Sequence, residues 1–534
     1  MFKPLLLVAL VALPAVAALL AALTRRPDAQ RARIGAGAAG IALAAALALA
    51  VLIAADGPIS ATAGSTGIGL WADRLTAVLL PLIFGVSAVV QSFAGRYLRG
   101  DARAGRFFTA TGLLTSATAA LVAAATLVGL ALAWTLAGAA FCLLLALYPQ
   151  LDAAREGVRR TTQALLIGDG ALWAGVLVAT LAWGRIDLSG LGDRASQLAQ
   201  RPALLALVAG LVVVAACARS AQLPLQRWLP ATLAAPTPVS ALLHAGVVNA
   251  GGILLVRLSP LFGASRAATW LAFAAGAATL VYGTTLMLAK PDVKGALAHS
   301  TMGQMGFMVM TCGVGGFAAA IFHLVAHGMY KAALFLGSGS AVGRHVGERK
   351  APPAPPASRS RRRGAGAFAL LVPAGVLLAA LALLHPASDQ QTSTRLLLAF
   401  AWATAAAATW GWLLRHPTTR GALAALAALL LLAPAYVLLA GAFTSFLAPA
   451  LAGAGDATVA PALIAPVLAV LVAANAVRLL GHHARLAELH RTLYVLALGA
   501  GQVRSGARRP RPSRRTGALV PAGGLLAHSE GGRL

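Results

Sequence analysis

Apolar runs of about twenty residues recur from one end of the chain to the other, with short polar stretches between them. Each is long enough to cross a hydrocarbon core of about 30 Å as a helix. The runs are continuous rather than alternating, which predicts helices and not a membrane barrel. The pattern places spans at 4–23, 34–54, 70–94, 107–126, 129–148, 163–184, 203–233, 238–257, 267–289, 295–313, 316–342, 365–384, 393–414, 421–446 and 458–479. The expected fold is therefore an all-α polytopic membrane protein with about 15 transmembrane helices.

The loops set the orientation. Arg25, Arg26, Arg31 and Arg33 follow the first run, Arg96, Arg99, Arg103 and Arg106 the third, and Arg155, Arg159 and Arg160 the fifth. Lys290 and Lys294 follow the ninth, and the segment 343–364, with its APPAPPASRSRRRG sequence, follows the eleventh. The loop 56–69 has no basic residue. Putting every basic loop on one side closes the count, with the N-terminus outside and the C-terminus cytoplasmic, as expected in a bacterial inner membrane. The first run carries its charge behind it rather than in front, so it reads as a retained helix and not a signal peptide.

Composition agrees with this reading. Of 534 residues, 59% are hydrophobic and 11% charged, too few charges to wet the surface of a soluble protein of this length. The net charge of +28 would suit nucleic acid, but the basic residues sit in loops between spans, so no nucleic-acid partner is expected and the lipid bilayer is. Cys142, Cys217 and Cys312 lie scattered in apolar runs, with neither metal nor disulfide spacing.

Two stretches carry chemistry. In SAQLPLQRWLPATLAAPTPVSALLHAGVVNAGG, Pro224 and Pro230 interrupt the backbone hydrogen bonds of the seventh run, which is expected to end near 228–233. Freed backbone groups in hydrocarbon need protein or water partners, so a broken helix beside Arg219, Gln222 and Gln226 points to a polar cavity, the alternative being a proline kink with snorkelling charge. Asp169 lies about 9 Å into the sixth run, at about 1.5 Å per residue, and Arg219 reaches a similar depth in the seventh. They are candidates for a charge pair, against two separate interfacial charges.

In the eleventh run, His323, His327 and Lys331 stand at i, i+4 and i+8, one polar stripe on an apolar helix. Histidine titrates near physiological pH, a lysine out of water can release a proton, and ionisable groups inside a membrane mark ion pathways. His244 in the eighth run and His299 in the tenth are candidates for the same route; Lys294 either joins it or anchors the inner surface. Structural burial is one alternative and a metal site another. Leu324 stands where an HExxH motif has glutamate, and no third ligand is evident, so no metal and no cofactor are expected.

Together with DVKGALAHSTMGQMGFM and AAIFHLVAHGMYKAALFLGSGS, the broken stretch resembles the antiporter-like proton-translocating subunits. These comprise the L-type subunit of respiratory complex I, the large subunit of multi-subunit sodium/proton antiporters and the membrane subunit of Dab inorganic-carbon transporters. The resemblance covers about residues 70–345. It implies two inverted five-helix repeats with a broken helix, here 95–258 and 259–445, preceded by N-terminal helices at 1–94 and followed by a helix in 446–500 and a basic tail at 501–534. The basic linker 343–364 interrupts the second repeat. It also implies a proton path through His244, Lys294, His323, His327 and Lys331. Departures from the complex I pattern are Trp134-Thr135 where that pattern has Trp-Glu, and Arg219 where it has lysine, a group that keeps its proton. With the GVVNAGG run, these features are most similar to the Dab membrane subunit. That resemblance implies a transporter subunit, not itself an enzyme, coupling a proton or sodium gradient to a large soluble zinc-containing, carbonic-anhydrase-like partner. The alternative is a subunit of an NADH:quinone oxidoreductase or of a sodium/proton antiporter.

Overall fold

Helices form at every run where the apolar pattern predicts a span, and the computed structural model describes residues 2–62, 69–290, 292–339, 359–384, 391–454 and 459–480, with scattered positions between 488 and 498. The first half comprises α1 (Phe2–Leu23), α2 (Asp28–Asp56), α3 (Arg74–Tyr97), α4 (Ala104–Val122), α5 (Leu127–Leu145), α6 (Asp152–Trp183), the short α7 (Ala195–Ala199), α8 (Pro202–Arg219), the single turn α9 (Trp228–Ala231), α10 (Thr237–Ala245) and α11 (Ala250–Arg257). After the short α12 (Ser259–Gly263) come α13 (Arg266–Ala289), α14 (Val293–Gly313), α15 (Phe317–Leu336), α16 (Arg359–Leu384), α17 (Gln391–Arg415), α18 (Thr419–Leu447) and α19 (Ile464–Leu480).

Among the described residues, twelve helical segments are long and apolar enough to cross a membrane, with α10 and α11 counted as one. The difference from the expected fifteen lies in α4, α14 and α19. The first two have the length but carry many small and polar residues, and the third is described over 17 residues only. Of the non-membrane segments, the structure describes only the end of the basic linker, where the first turns of α16 begin at Arg359 and its apolar part at Gly364. The tail 501–534 lies outside the described residues.

Among the described residues, one element is not helical. The predicted loop 56–69 and the start of the third span form a two-stranded antiparallel hairpin, β1 (Ile59–Thr62) and β2 (Gly69–Ala72), with Ile59 opposite Ala72. Its second strand is tied to the α4–α5 turn, where Trp71 donates its backbone N–H to the Ala123 carbonyl at 2.7 Å. The helix α3 therefore starts at Arg74, capped by Asp73, whose carboxylate accepts the Thr76 N–H.

Small residues set the tightest contact in the second half. A Cβ added to Gly276 of α13 would lie 2.3 Å from the Met310 nitrogen, and one on Gly283 would lie 2.4 Å from the Gly303 nitrogen. Between membrane helices such close approach supplies the attraction that hydrocarbon solvent does not. Leu181, Leu371 and Leu431 on the outer helices are exposed, as side chains facing lipid are, whereas α10, α11 and most of α14 are buried.

Two spans are interrupted, and the interruptions face each other. The seventh span ends at Arg219, ahead of both prolines, rather than near 228–233. The Gln222 N–H returns to the Cys217 carbonyl at 2.8 Å and the Ala221 N–H to the Ala218 carbonyl at 3.4 Å, with Ala221 at φ +51°. This is a Schellman ending with alanine in the position glycine usually takes. Pro224 follows in the loop and Pro230 lies within α9. The eighth span, expected to be continuous over 238–257, breaks at Gly246 into α10, a 3-10 turn over Val247–Asn249, and α11. Ser220 Oγ donates to the Val248 carbonyl at 2.7 Å, clasping one break to the other.

Candidate ion pathway

Around the first break, the structure brings Asp169 and Arg219 together. Arg219 Nη2 donates to Asp169 Oδ1 and to the Trp134 carbonyl, both at 3.1 Å. Trp134 Nε1 donates to the same carboxylate oxygen at 2.8 Å, and the guanidinium lies 4.2 Å from the Trp134 ring centre. Arg219 is 1% exposed. The charge is thus neutralised, hydrogen-bonded and stacked, the combination that makes a buried arginine tolerable. Thr135 accepts a hydrogen bond from Trp173 Nε1 at 3.0 Å.

The second break holds the histidines. His244 is the penultimate residue of α10, and its ring stacks on Phe335 of α15 with centroids 4.3 Å apart and planes 7° from parallel. On α15, His323 and His327 lie ring over ring at 5.8 Å, as their i, i+4 spacing dictates. Lys331 stands one turn further and donates to the Leu297 carbonyl of α14 at 3.2 Å. The crossing of α10 and α15 is close because residue 328 is glycine; a Cβ there would lie 2.9 Å from the Ala245 carbonyl oxygen. His323 is walled by Phe307 and Phe400, each with its centroid at 5.0 Å.

His244 Nδ1, His323 Nε2 and His327 Nε2 are buried without hydrogen-bond partners. An imidazole presents one donor and one acceptor and exchanges them on taking up or losing a proton, so these nitrogens are chemically equipped to pass a proton. No hydrogen bond joins the Nε2 atoms of the two rings, whose centroids are 5.8 Å apart, and a transfer there needs ring rotation or an intervening water. His299 is also buried, its Nδ1 held 2.8 Å from the Gly295 carbonyl. It shares α14 with the carbonyl that Lys331 engages. Lys294 sits at the start of α14 and donates to the Ala235 carbonyl at 3.3 Å. His244, His323, His327 and Lys331 therefore form one cluster, His299 borders it, Lys294 is close enough for its charge to act on His244, and the Asp169–Arg219 pair lies apart. Among the described residues no group of three or more His, Cys, Asp or Glu side chains could hold a metal.

Sequence reasoning missed a second buried ion pair. Arg257, at the end of α11, donates to Asp73 Oδ2 at 2.7 Å, to Thr76 Oγ1 at 2.8 Å and to the Val122 carbonyl at 2.7 Å. Both side chains are 4% exposed. The signal was available: an arginine at the end of a span predicted to face outside conflicts with the positive-inside pattern and calls for a partner. The break at Gly246 was foreshadowed by the three glycines of GVVNAGG.

The comparisons with known proteins agree with this architecture. Residues 124–352 match the family model described as "NADH:quinone oxidoreductase/Mrp antiporter, TM", and residues 59–108 match that described as "NADH-Ubiquinone oxidoreductase (complex I), chain 5 N-terminus". A probable inorganic carbon transporter subunit DabB1 of Halothiobacillus neapolitanus is 39% identical over 279 residues, covering 51% of this chain and 50% of that one. DabB of Bacillus subtilis is 36% identical over 298 residues (54% and 57%), and NAD(P)H-quinone oxidoreductase chain 5 of Picosynechococcus 36% over 280 (52% and 42%). The chain thus spans about half the length of the curated relatives it matches. Among solved structures, a chain of the Mrp complex from Dietzia superposes with a TM-score of 0.61 at 26% identity, covering 96% of this chain and 61% of that one. The chain is a multi-pass membrane protein, and it belongs to the superfamily of antiporter-like membrane subunits that includes chain 5 of complex I and the DabB subunits.

Proposed function

We propose that the chain is the membrane subunit of an energy-coupled inorganic-carbon uptake complex in a bacterial inner membrane, N-terminus outside and C-terminus cytoplasmic. A proton, or a sodium ion in its place, passes along His244, His299, His323, His327 and Lys331. Its movement drives hydration of CO2 in a large soluble zinc-containing partner resembling a carbonic anhydrase. The observation that carries the reading is the asymmetry of the buried charges. The buried first-half cations are paired, Arg219 with Asp169 and Arg257 with Asp73, whereas among the described residues Lys331 and the histidines around the second break have no carboxylate, and one nitrogen in each of three imidazoles has no hydrogen-bond partner. A complex I lysine cycle in the first half has no lysine to run on, which favours the Dab reading over the respiratory one.

The test is co-expression with a candidate zinc partner in a host lacking carbonic anhydrase. Growth in ordinary air that is lost on Lys331→Ala or His327→Ala supports coupled uptake. Growth unchanged by both variants leaves the chain as a passive anchor and refutes the pathway.

A further inference from the structure

Behind the second break lies a cavity of about 50 Å³ between α3, α4, α10 and α11. Its wall is mostly aliphatic, but Ser87 of α3, Thr115 and Thr118 of α4 and Asn249 face it beside Ala245 and Gly246. Asn249 is 1% exposed; its amide nitrogen donates to the Ala245 carbonyl at 2.7 Å, while its Oδ1 has no partner. A buried amide oxygen without a partner is destabilising, and a water molecule would offset that cost. The volume is several times the roughly 15 Å³ one water requires.

The cavity is the top of a polar ladder. Ser87 Oγ and Thr115 Oγ1 are hydrogen-bonded at 2.8 Å, Gln91 Nε2 donates to Ser87 Oγ at 3.1 Å, and the same nitrogen lies 3.2 Å from the Gly35 carbonyl of α2. Gln91 Oε1 and Thr111 Oγ1 are buried without partners. Ser87 lies near the middle of α3, and Gln91 is about 9 Å from the end that carries Arg96 and the basic loop, at about 1.5 Å per residue. The ladder therefore descends from the break toward the basic-loop face through helices that hold none of the titratable cluster.

We propose that this cavity and ladder form a hydrated branch that connects the break at Gly246 with the basic-loop face, its occupant being water. Hydroxyls, amides and waters relay a proton without changing charge, so the branch supplies the histidine cluster while Asn249 holds the break open by capping the Ala245 carbonyl. The inference deepens the proposed function and rests on it for its role, but the hydration itself is measured independently.

The test uses the full chain in membrane vesicles of either orientation, with Cys142, Cys217 and Cys312 replaced by alanine. Thr115→Cys and Ser87→Cys are exposed to a small cationic methanethiosulfonate, with Ala119→Cys, fully buried on α4 and outside the cavity wall, as control. The branch predicts that either cysteine reacts at least tenfold faster than the control, and only from the basic-loop face. Reaction no faster than the control at both positions, or only from the opposite face, overturns it. Labelling reads water and not transport, so uptake that survives His327→Ala would remove the proposed function and leave this result standing. Gln91→Leu, tested for uptake beside Gln91→Asn, then tells whether the branch is used: loss in the first with retention in the second supports it, and equal uptake in both removes its transport role.

Discussion

The surroundings of the two helix breaks use buried charge in opposite ways. At the first, Arg219 faces a carboxylate, a carbonyl and an indole ring, and Asp169 receives donors from both Arg219 and Trp134. At the second, Lys331 has a backbone carbonyl for company, and its neighbours are three imidazoles with idle nitrogens and a wall of phenylalanine. A charge held by a carboxylate, a carbonyl and a ring stabilises one arrangement and resists moving. Bases without a counter-charge are not tied into one ion pair, so a proton that arrives can move from one to the next.

The sharpest way to break the comparison is to make both sites apolar. Lys331→Met is expected to abolish uptake while leaving thermal stability in detergent unchanged or raised, because it removes a buried amine with no carboxylate beside it. A protein that loses its fold would instead make Lys331 structural. Asp169→Leu should do the reverse, lowering stability by about 3–5 kcal/mol through an uncompensated buried guanidinium, with much of the loss recovered in the Asp169→Leu/Arg219→Met double variant. Additive effects in that cycle would mean the pair does not act as a unit. Trp134→Phe keeps a ring under Arg219 and removes one hydrogen bond to a carboxylate, for an expected loss of about 2 kcal/mol read from the same melting curves.

The smallest effect belongs to the basic-loop face, where Tyr148 donates to Asp101 Oδ2 at 2.6 Å. The tyrosine hydrogen bond, helped by the Arg103 backbone N–H, holds the Asp101 carboxyl below its usual range. Burial, together with the Asp101 charge, pushes the Tyr148 hydroxyl up to about 12. The Asp101 contribution is present above the ordinary carboxylate range and is lost as pH falls through its depressed folded value. The Tyr148 contribution is present below about pH 10 and is lost as pH rises toward 12. Tyr148→Phe should flatten both limbs of a stability–pH profile without altering uptake at neutral pH; an unchanged profile would mean the contact does not contribute.

Much of this was legible before any coordinates. The apolar runs place the spans, because helices in hydrocarbon must satisfy their own backbone. The i, i+4, i+8 spacing puts His323, His327 and Lys331 on one face of α15, since that follows from helix geometry alone. The ends of helices were less legible. α8 stops at Arg219 because alanine accepts a left-handed backbone, a place where sequence patterns look for glycine. The hairpin at Ile59–Ala72 was hidden because strands of four residues are too short for periodicity to register.

What the sequence determined by itself is therefore the membrane, the helices and the chemical character of each face, all set by local pattern and the cost of polar groups in lipid. What the tertiary structure alone decided is pairing. It joined Arg219 to Asp169 across fifty positions and Arg257 to Asp73 across 184, and among the described residues left Lys331 without a carboxylate. Pairing depends on which helices touch and at what depth, and it separates a charge that holds the fold from one free to exchange a proton.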